Sequence, residues 1–174
     1  GFEIPKNANS DLGFTPWVFL FVALIIPLAE ELIFRSWLRG HPAVIAALLV
    51  AALGLVIAIP SAGAQSTVPM LIGAAIALLG APAAGIWLLN RAVPALFVRG
   101  FPAFYWLSCV GFALAHFANY SDTPILVLLP LVFPQFALGT MLGYLRVSYG
   151  LVFAIALHAI HNGLLFSLAA LGGG

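Results

Sequence analysis

Two adjacent glutamates and an arginine interrupt the apolar stretch IIPLAEELIFRSWL (25–38). Glu31 and Arg35 are four residues apart, so in a helix they lie on one face and can form an ion pair. Glu30 lies about 100° around that helix from Glu31, which leaves its carboxyl outside the pair. A carboxyl group in such an apolar setting is suited to proton transfer. The alternative is that all three residues form one structural charge cluster between helices.

A second polar group interrupts the apolar segment LHAIHNGL (157–164). His158 and Asn162 are also four residues apart and share a helix face. The imidazole can orient a water or donate a proton, and the amide can donate to an oxyanion. The alternative is a hydrogen-bonded packing pair between helices. His161 points about a quarter turn aside, either as a further ligand or as a residue that supports the site.

His116, in GFALAHFANY (111–120), is either a third member of the same site or a histidine at the membrane interface. At ~1.5 Å per residue from the predicted span ends, Glu30 and His158 lie ~15 and ~12 Å deep. Asn162 and His116 lie ~18 and ~22 Å deep on the same rise. Ordinary helix tilt of ~20° makes these depths overlap. Because ionisable groups there cost at least ~2.5 kcal/mol, we expect one buried functional site.

The composition is that of a membrane protein. The chain has 174 residues, of which 64% are hydrophobic and 6% charged, and its mean hydropathy is +1.17. So few charged side chains cannot cover a soluble globule. A net charge of +1 argues against a nucleic acid partner. The single cysteine, Cys109, excludes an intrachain disulfide and is interpreted as a packing residue.

The apolar runs predict the elements that carry these residues. Crossing ~30 Å of hydrocarbon takes about 20 helical residues. A short amphipathic helix in the interface is expected at 90–100. The sequence therefore predicts an all-α, polytopic transmembrane bundle of about six helices, with 1–174 forming a single membrane domain. The predicted spans are 14–38, 43–60, 68–89, 102–119, 124–145 and 150–170.

The distribution of arginine predicts how the chain is oriented. Alternate loops collect four arginines, whereas the loops on the opposite side offer only Lys6. The positive-inside rule then places the arginine-rich loops in the cytoplasm, as in a multi-pass protein of a prokaryotic cell membrane. Because the chain begins with Gly1, we interpret it as a fragment or processed product. The loop arginines are Arg39, Arg91, Arg99 and Arg146.

Three motifs carry a resemblance to a known family. EELIFR (30–35), FALAH (112–116) and HAIHN (158–162) match, in order, the EExxxR, FxxxH and HxxxN motifs of the CPBP family. That family comprises type II CAAX prenyl endopeptidases and the bacteriocin-processing or immunity proteins also called Abi proteins. The resemblance is loose over 14–170 and sharp at the motifs. It implies intramembrane proteolysis, with membrane lipid and a peptide or lipidated protein substrate as partners. We expect this substrate to enter a cavity from the cytoplasmic side.

The resemblance also implies roles for individual residues. Glu30 would be the general base that activates water, and His116 would polarise or position that water. His158 and Asn162 would stabilise the oxyanion of the tetrahedral intermediate. Glu31 would brace Arg35, so one acid would act in catalysis while the other neutralises the guanidinium.

Two departures from the family pattern affect these expectations. The interval between Arg35 and Phe112 holds two extra apolar runs, so 43–89 is predicted to be an inserted helix pair that could alter access to the site. Ser36 stands where many family members have glycine, which permits a different helix packing nearby.

The leading hypothesis is a glutamate-dependent intramembrane endopeptidase that needs no cofactor. The second is a zinc-dependent protease with Glu30, His116 and His158 as ligands. Against zinc, the chain lacks HExxH, and His158 and His161 are three residues apart rather than four. The third is a protein without catalytic activity, either a proton-coupled carrier or an immunity-type binding protein that uses the same polar cluster.

Overall fold

The computed structural model of the protein describes residues 13–120 and 123–172. Its regular elements in these ranges are helices, which confirms the all-α prediction. Within the described residues, five helices are long and apolar enough to cross a membrane, and a bent pair adds a sixth span if its halves are counted together. The five are α1 (Pro16–Arg39), α2 (Pro42–Gly63), α3 (Thr67–Trp87), α4 (Ala95–Asn119) and α7 (Leu151–Gly172). The bent pair is α5 (Ile125–Leu131) and α6 (Phe133–Ser148).

The predicted interface helix at 90–100 is wrong. Residues 91–94 have no regular structure, and residues 95–100 form the first turns of α4. The start of α4 is set by Pro94, whose carbonyl accepts the N–H groups of Phe97 and Val98. A proline is tolerated at a helix start because the missing N–H is not needed there. The apolar centre of the segment therefore joins a span.

The span predicted at 124–145 is broken into α5 and α6, which are bent by 46°. Val132 stands at the break with φ −97° and ψ 1°. Pro130 and Pro134 flank it, and neither has an N–H to donate to the preceding turn. Prolines are a usual cause of so sharp a kink.

Helix α1 contains a turn of π-helix, Phe21–Ile25, ahead of the segment Ile26–Phe34 that carries the glutamates. In this turn the N–H of Ile26 donates to the carbonyl of Phe21, five residues back. The next residue, Pro27, has no N–H, so in the same register the carbonyl of Val22 loses its backbone donor. Side chains can bind this carbonyl.

The chain divides into two compact units. One is Arg39–Phe101, and the other combines the described residues up to Leu38 with those from Pro102 onward. The candidate polar residues belong to the second unit. The single-domain organisation of 1–174 and the inserted character of 43–89 stay predictions. The opposing base Lys6 and the first residue Gly1 lie outside the described residues.

Within Arg39–Phe101, helices α2 and α3 touch backbone to backbone at two glycines. A methyl group on Gly54 would lie 2.5 Å from the carbonyl oxygen of Gly73. One on Gly73 would lie 2.6 Å from the carbonyl oxygen of Gly54. Small residues at such a crossing permit the close approach by which membrane helices associate.

Gly54→Val is therefore expected to destabilise this helix pair by about 1–3 kcal/mol, the usual cost of overpacking. Thermal unfolding in detergent micelles measures the effect as a lower midpoint. Gly63→Val is the matched control, because no atom lies within 4 Å of a methyl group built on Gly63. Equal midpoints for both variants would contradict the backbone contact.

In the other unit, α4 packs closely on α6. The hydroxyl of Tyr105 donates to the carbonyl of Thr140 at 2.7 Å, and the thiol of Cys109 lies 3.6 Å from the carbonyl oxygen of Gly139. A methyl group on Gly143 would lie 2.9 Å from the Tyr105 ring. Cys109 is fully buried in this contact, which agrees with its interpretation as a packing residue.

Candidate active site

Glu31 is the centre of a buried polar cluster. Its Oε1 accepts hydrogen bonds from Arg35 Nη1 at 2.5 Å and from His158 Nδ1 at 2.9 Å. The side chains of Glu31 and Arg35 are fully buried, and that of His158 is 1% exposed. The predicted ion pair between Glu31 and Arg35 is confirmed. The bond to His158 was not predicted, and it joins α1 to α7.

Glu30 lies outside that ion pair, as predicted, but it faces the same imidazole from the other side. Its Oε2 lies 3.4 Å from His158 Nε2, and its side chain is 24% exposed. This approach is an ion-pair contact without hydrogen-bond geometry, since Oε2 has no hydrogen bond within the described ranges. His158 is thus held between two carboxylates, with Glu31 on Nδ1 and Glu30 opposite Nε2.

A carboxylate on one imidazole nitrogen fixes the ring and its tautomer. Because the carboxylate of Glu31 can only accept, the proton of this bond sits on Nδ1 of His158. Nε2 is then directed at the Glu30 carboxylate. The arrangement gives Glu30 and His158 a common point at which both can bind one small molecule or group.

Phe112 joins the charged cluster to the third predicted histidine. Its ring is fully buried, and the guanidinium carbon of Arg35 lies 4.2 Å from the ring centroid. The rings of His116 and His158 lie 4.7 and 5.5 Å away, centroid to centroid. The sequence marked Phe112 only as the first residue of FxxxH. Its role as the shared packing surface of α1, α4 and α7 was missed.

His116 belongs to this cluster through Phe112. Its Nδ1 lies 2.8 Å from the Phe112 carbonyl oxygen, which can only accept, so Nδ1 is the donor. Its Nε2 therefore carries the lone pair.

Asn162 has a contact that the sequence did not predict. Its Nδ2 lies 3.4 Å from the carbonyl oxygen of Val22, the carbonyl left without a backbone donor by Pro27. This bond ties α7 to the π-helical turn of α1, one helical turn away from His158. The structure thus brings Glu30 and His158 together directly and His116 through Phe112, whereas the recorded contact of Asn162 is with Val22. Pro27 was the signal in the sequence that could have indicated this bond.

The α-helical part of α1 ends at Phe34, and side chains bind the carbonyls around this point before a 3-10 turn, Ser36–Arg39, continues the span. The carbonyls of residues 32–36 each accept a hydrogen bond from a side chain, which satisfies groups that a helix end leaves without partners. Ser36, Trp37 and Ser108 bind the carbonyls of Leu32, Ile33 and Phe34 at 2.5, 3.1 and 2.7 Å. Arg146 binds those of Arg35 and Ser36 at 2.9 and 2.6 Å.

Arg146 therefore does more than add charge to a loop. Its forked guanidinium spans two successive carbonyls at the end of α1, where a cation also complements the helix dipole. Ser36, which stands where many family members have glycine, also has a local role. Its hydroxyl donates a hydrogen bond to the carbonyl of Leu32 in place of a backbone N–H. Arg146 thus holds the backbone of Arg35, and with it the charged cluster, while Ser36 holds the helical turn that precedes it.

Arg146→Ala is expected to lower the free energy of unfolding by about 1.5–3 kcal/mol, the range for hydrogen bonds to a charged group. Arg146→Lys should recover only part of this, because an ammonium group lacks the fork. Thermal unfolding measures both, with the exposed Arg99→Ala as control. A midpoint for Arg146→Ala equal to that of Arg99→Ala would contradict the capping role.

The zinc alternative finds no preformed site. Among residues 13–120 and 123–172, no group of three or more His, Cys, Asp or Glu side chains is placed to hold a metal ion. The bond from Nδ1 of His158 to Glu31 leaves Nε2 as the nitrogen that a metal would bind, as in metal-binding histidines generally. The described side chains are not arranged as a preformed three-ligand site, and the chelator experiment described below tests metal dependence directly.

Comparison with known proteins gives one family. The family model described as type II CAAX prenyl endopeptidase Rce1-like matches residues 12–164. This range includes all three motifs and most of the chain. No curated protein sequence and no solved structure gives a significant match. With its long apolar helices, the chain is an integral membrane protein, and it belongs to the Rce1-like family of type II CAAX prenyl endopeptidases, a family of proteases.

Proposed function

We propose that this protein is an intramembrane endopeptidase that hydrolyses a peptide bond of a prenylated or otherwise membrane-associated polypeptide, with water activated by Glu30. The observation that carries the proposal is the difference between the two glutamates. Glu31 is fully buried and bound to Arg35 and His158, whereas Glu30 is 24% exposed and faces His158 Nε2. The carboxylate of Glu31 is thus enclosed by its partners, whereas the side chain of Glu30 is partly accessible and its Oε2 has no hydrogen bond within the described residues.

One water can bridge Glu30 and His158 from the side. Their facing atoms are 3.4 Å apart, so a water at hydrogen-bond distance, about 2.8 Å, can contact both. Glu30 takes a proton from this water while the water oxygen attacks the carbonyl carbon of the substrate. The same carboxyl then gives the proton to the leaving amine as the C–N bond breaks. Protons and bonds balance without a further reactant.

The histidines have separate tasks in this proposal. His116, with its Nδ1–H on the Phe112 carbonyl, accepts a hydrogen bond from the water at Nε2. His158, oriented by Glu31, donates from a protonated Nε2 to the oxyanion. Asn162 assists with the N–H that its bond to Val22 does not use, since a carboxamide has two N–H groups.

The proposed substrate follows from the family, which is one of prenyl endopeptidases. A prenyl group keeps the target peptide at the membrane. The peptide is thereby held close to the site residues on α1, α4 and α7. We also propose that the span ends and the loop that carry Arg39, Arg91, Arg99 and Arg146 face the cytoplasm of a prokaryotic cell.

The direct test is the cleavage of a prenylated CAAX peptide by the purified protein and by Glu30→Gln. Cleavage that Glu30→Gln leaves unchanged would rule out the proposed mechanism. The expected sizes of the effects are argued in the Discussion.

A second test addresses the zinc alternative. Incubation with a strong chelator such as 1,10-phenanthroline, followed by its removal, is expected to leave cleavage within about twofold of the untreated rate, because Glu30 acts as a base without a metal. A loss of more than about tenfold that added Zn²⁺ restores would favour metal-activated water instead. A non-chelating phenanthroline isomer controls for effects of the compound on the membrane.

A further inference from the structure

Gln135 is a polar side chain in α6 that none of the contacts described above explains. It lies in the apolar stretch VFPQFAL (132–138). Its Oε1 is buried and has no hydrogen bond within the part of the chain that the structure describes. A buried amide oxygen without a partner costs free energy, and in a membrane segment such a polar group is a functional candidate.

Helix capping does not explain Gln135. It is the third residue of α6, where glutamine often accepts the N–H of the residue that precedes the helix. That residue is Val132, and its N–H donates to the carbonyl of Leu128 at 3.0 Å. The carboxamide is therefore not engaged in the local role that its position suggests.

The packing of α6 on α4 shows where Gln135 stands. Going back along α6, Gly143 packs against Tyr105, and Gly139 packs against Phe112, where an added methyl group would lie 3.2 Å from the ring. The two helices run antiparallel in this register. Gln135 precedes Gly139 by one helical turn on the same face of α6. Because the helices are antiparallel, it lies at the height of the α4 turn that comes after Phe112, which contains His116.

We propose that Gln135 is a substrate-binding residue of the same site, whose Oε1 accepts a backbone N–H of the bound peptide close to the bond that is cleaved. This inference rests on the proposed peptidase function. A peptide entering a water-poor cavity must find partners for its N–H groups. A buried acceptor at the level of His116 supplies one, since a carboxamide matches the hydrogen-bonding groups of a peptide bond.

The test combines one variant with altered substrates. Gln135→Met keeps the length of the side chain but removes the acceptor. The substrates are a prenylated CAAX peptide and analogues in which each non-scissile backbone N–H is replaced in turn by an ester oxygen. For the wild type, one ester is expected to lower kcat/KM about tenfold, the effect of one lost hydrogen bond.

Gln135→Met should lower kcat/KM about tenfold on the all-amide peptide and show no further loss on that one ester. This non-additivity identifies the bonded pair, because removing either partner removes the same interaction. The unfolding midpoint should not fall, since Oε1 of Gln135 has no hydrogen bond to lose within the described residues. Phe133→Leu, which alters a 65% exposed side chain two residues away, is the matched control and should keep the wild-type rate.

The inference would be overturned if the ester that lowers kcat/KM of the wild type lowered kcat/KM of Gln135→Met by the same factor. A midpoint that falls together with the rate would also overturn it, because that would indicate a packing role. A wild-type protein that cleaves none of these peptides would overturn the proposed function and this inference with it. That result is distinct from the others because no rate is observed with any variant.

Discussion

Glu31→Gln is expected to lower the free energy of unfolding by about 3–5 kcal/mol and to abolish cleavage. The substitution keeps the shape of the side chain but removes the charge that compensates the fully buried Arg35, and a buried charge without its partner costs this much. It also weakens the acceptor that fixes His158 Nδ1. Thermal or denaturant unfolding in micelles, together with the rate on a prenylated CAAX peptide, measures both effects.

A double variant separates these two consequences. Glu31→Leu combined with Arg35→Met removes both charges, and apolar replacement of a buried ion pair is often neutral or stabilising. The double variant should therefore regain most of the stability lost in Glu31→Gln. It should stay inactive, because His158 still lacks the carboxylate that orients it. Full recovery of cleavage would show that Glu31 serves only to neutralise Arg35.

Glu30→Gln is expected to reduce kcat by about 10²–10⁴, the usual contribution of a general base, with an unfolding midpoint close to that of the wild type. Glutamine has the size of glutamate but cannot take the proton from water. Stability should change little because Oε2 of Glu30 makes no hydrogen bond within the described ranges and its side chain is 24% exposed. Steady-state cleavage and thermal unfolding of the same preparation check both statements.

The contrast between the adjacent glutamates is the discriminating feature. One substitution should remove activity alone, and its neighbour should remove activity and stability. A structural charge cluster would make both substitutions destabilising. A carrier or binding protein would show no cleavage in either case, and transport or peptide binding that depends on Glu30 would then become the function to measure.

The local part of this arrangement could be predicted from the sequence. The spacing of Glu31 and Arg35 fixes their position on one helix face regardless of the rest of the fold, and the pair is formed. The apolar runs likewise set the spans, because length and hydropathy are properties of a segment by itself. Where prolines intervene, as at Pro130 and Pro134, the same runs did not indicate the bend between α5 and α6.

The contacts between helices could not be predicted in this way. The bond from His158 to Glu31 and the capping of α1 by Arg146 join residues more than 100 positions apart. They depend on how helices rotate against one another, which periodicity alone leaves open. From the sequence, Arg146 was interpreted only as a positive charge that orients the chain. In the structure its guanidinium binds the carbonyls of Arg35 and Ser36. Gln135 was missed because only ionisable residues and the recognised motifs were considered at membrane depth.

The measurement that tests the central claim most directly is the single-turnover rate constant for cleavage of a prenylated CAAX peptide by excess Glu30→Gln protein, since this isolates the chemical step from product release. If Glu30 activates the water beside His158, the rate constant falls at least about 100-fold below that of the wild type while the protein remains folded. A folded Glu30→Gln protein that cleaves at a rate close to the wild-type value would contradict it.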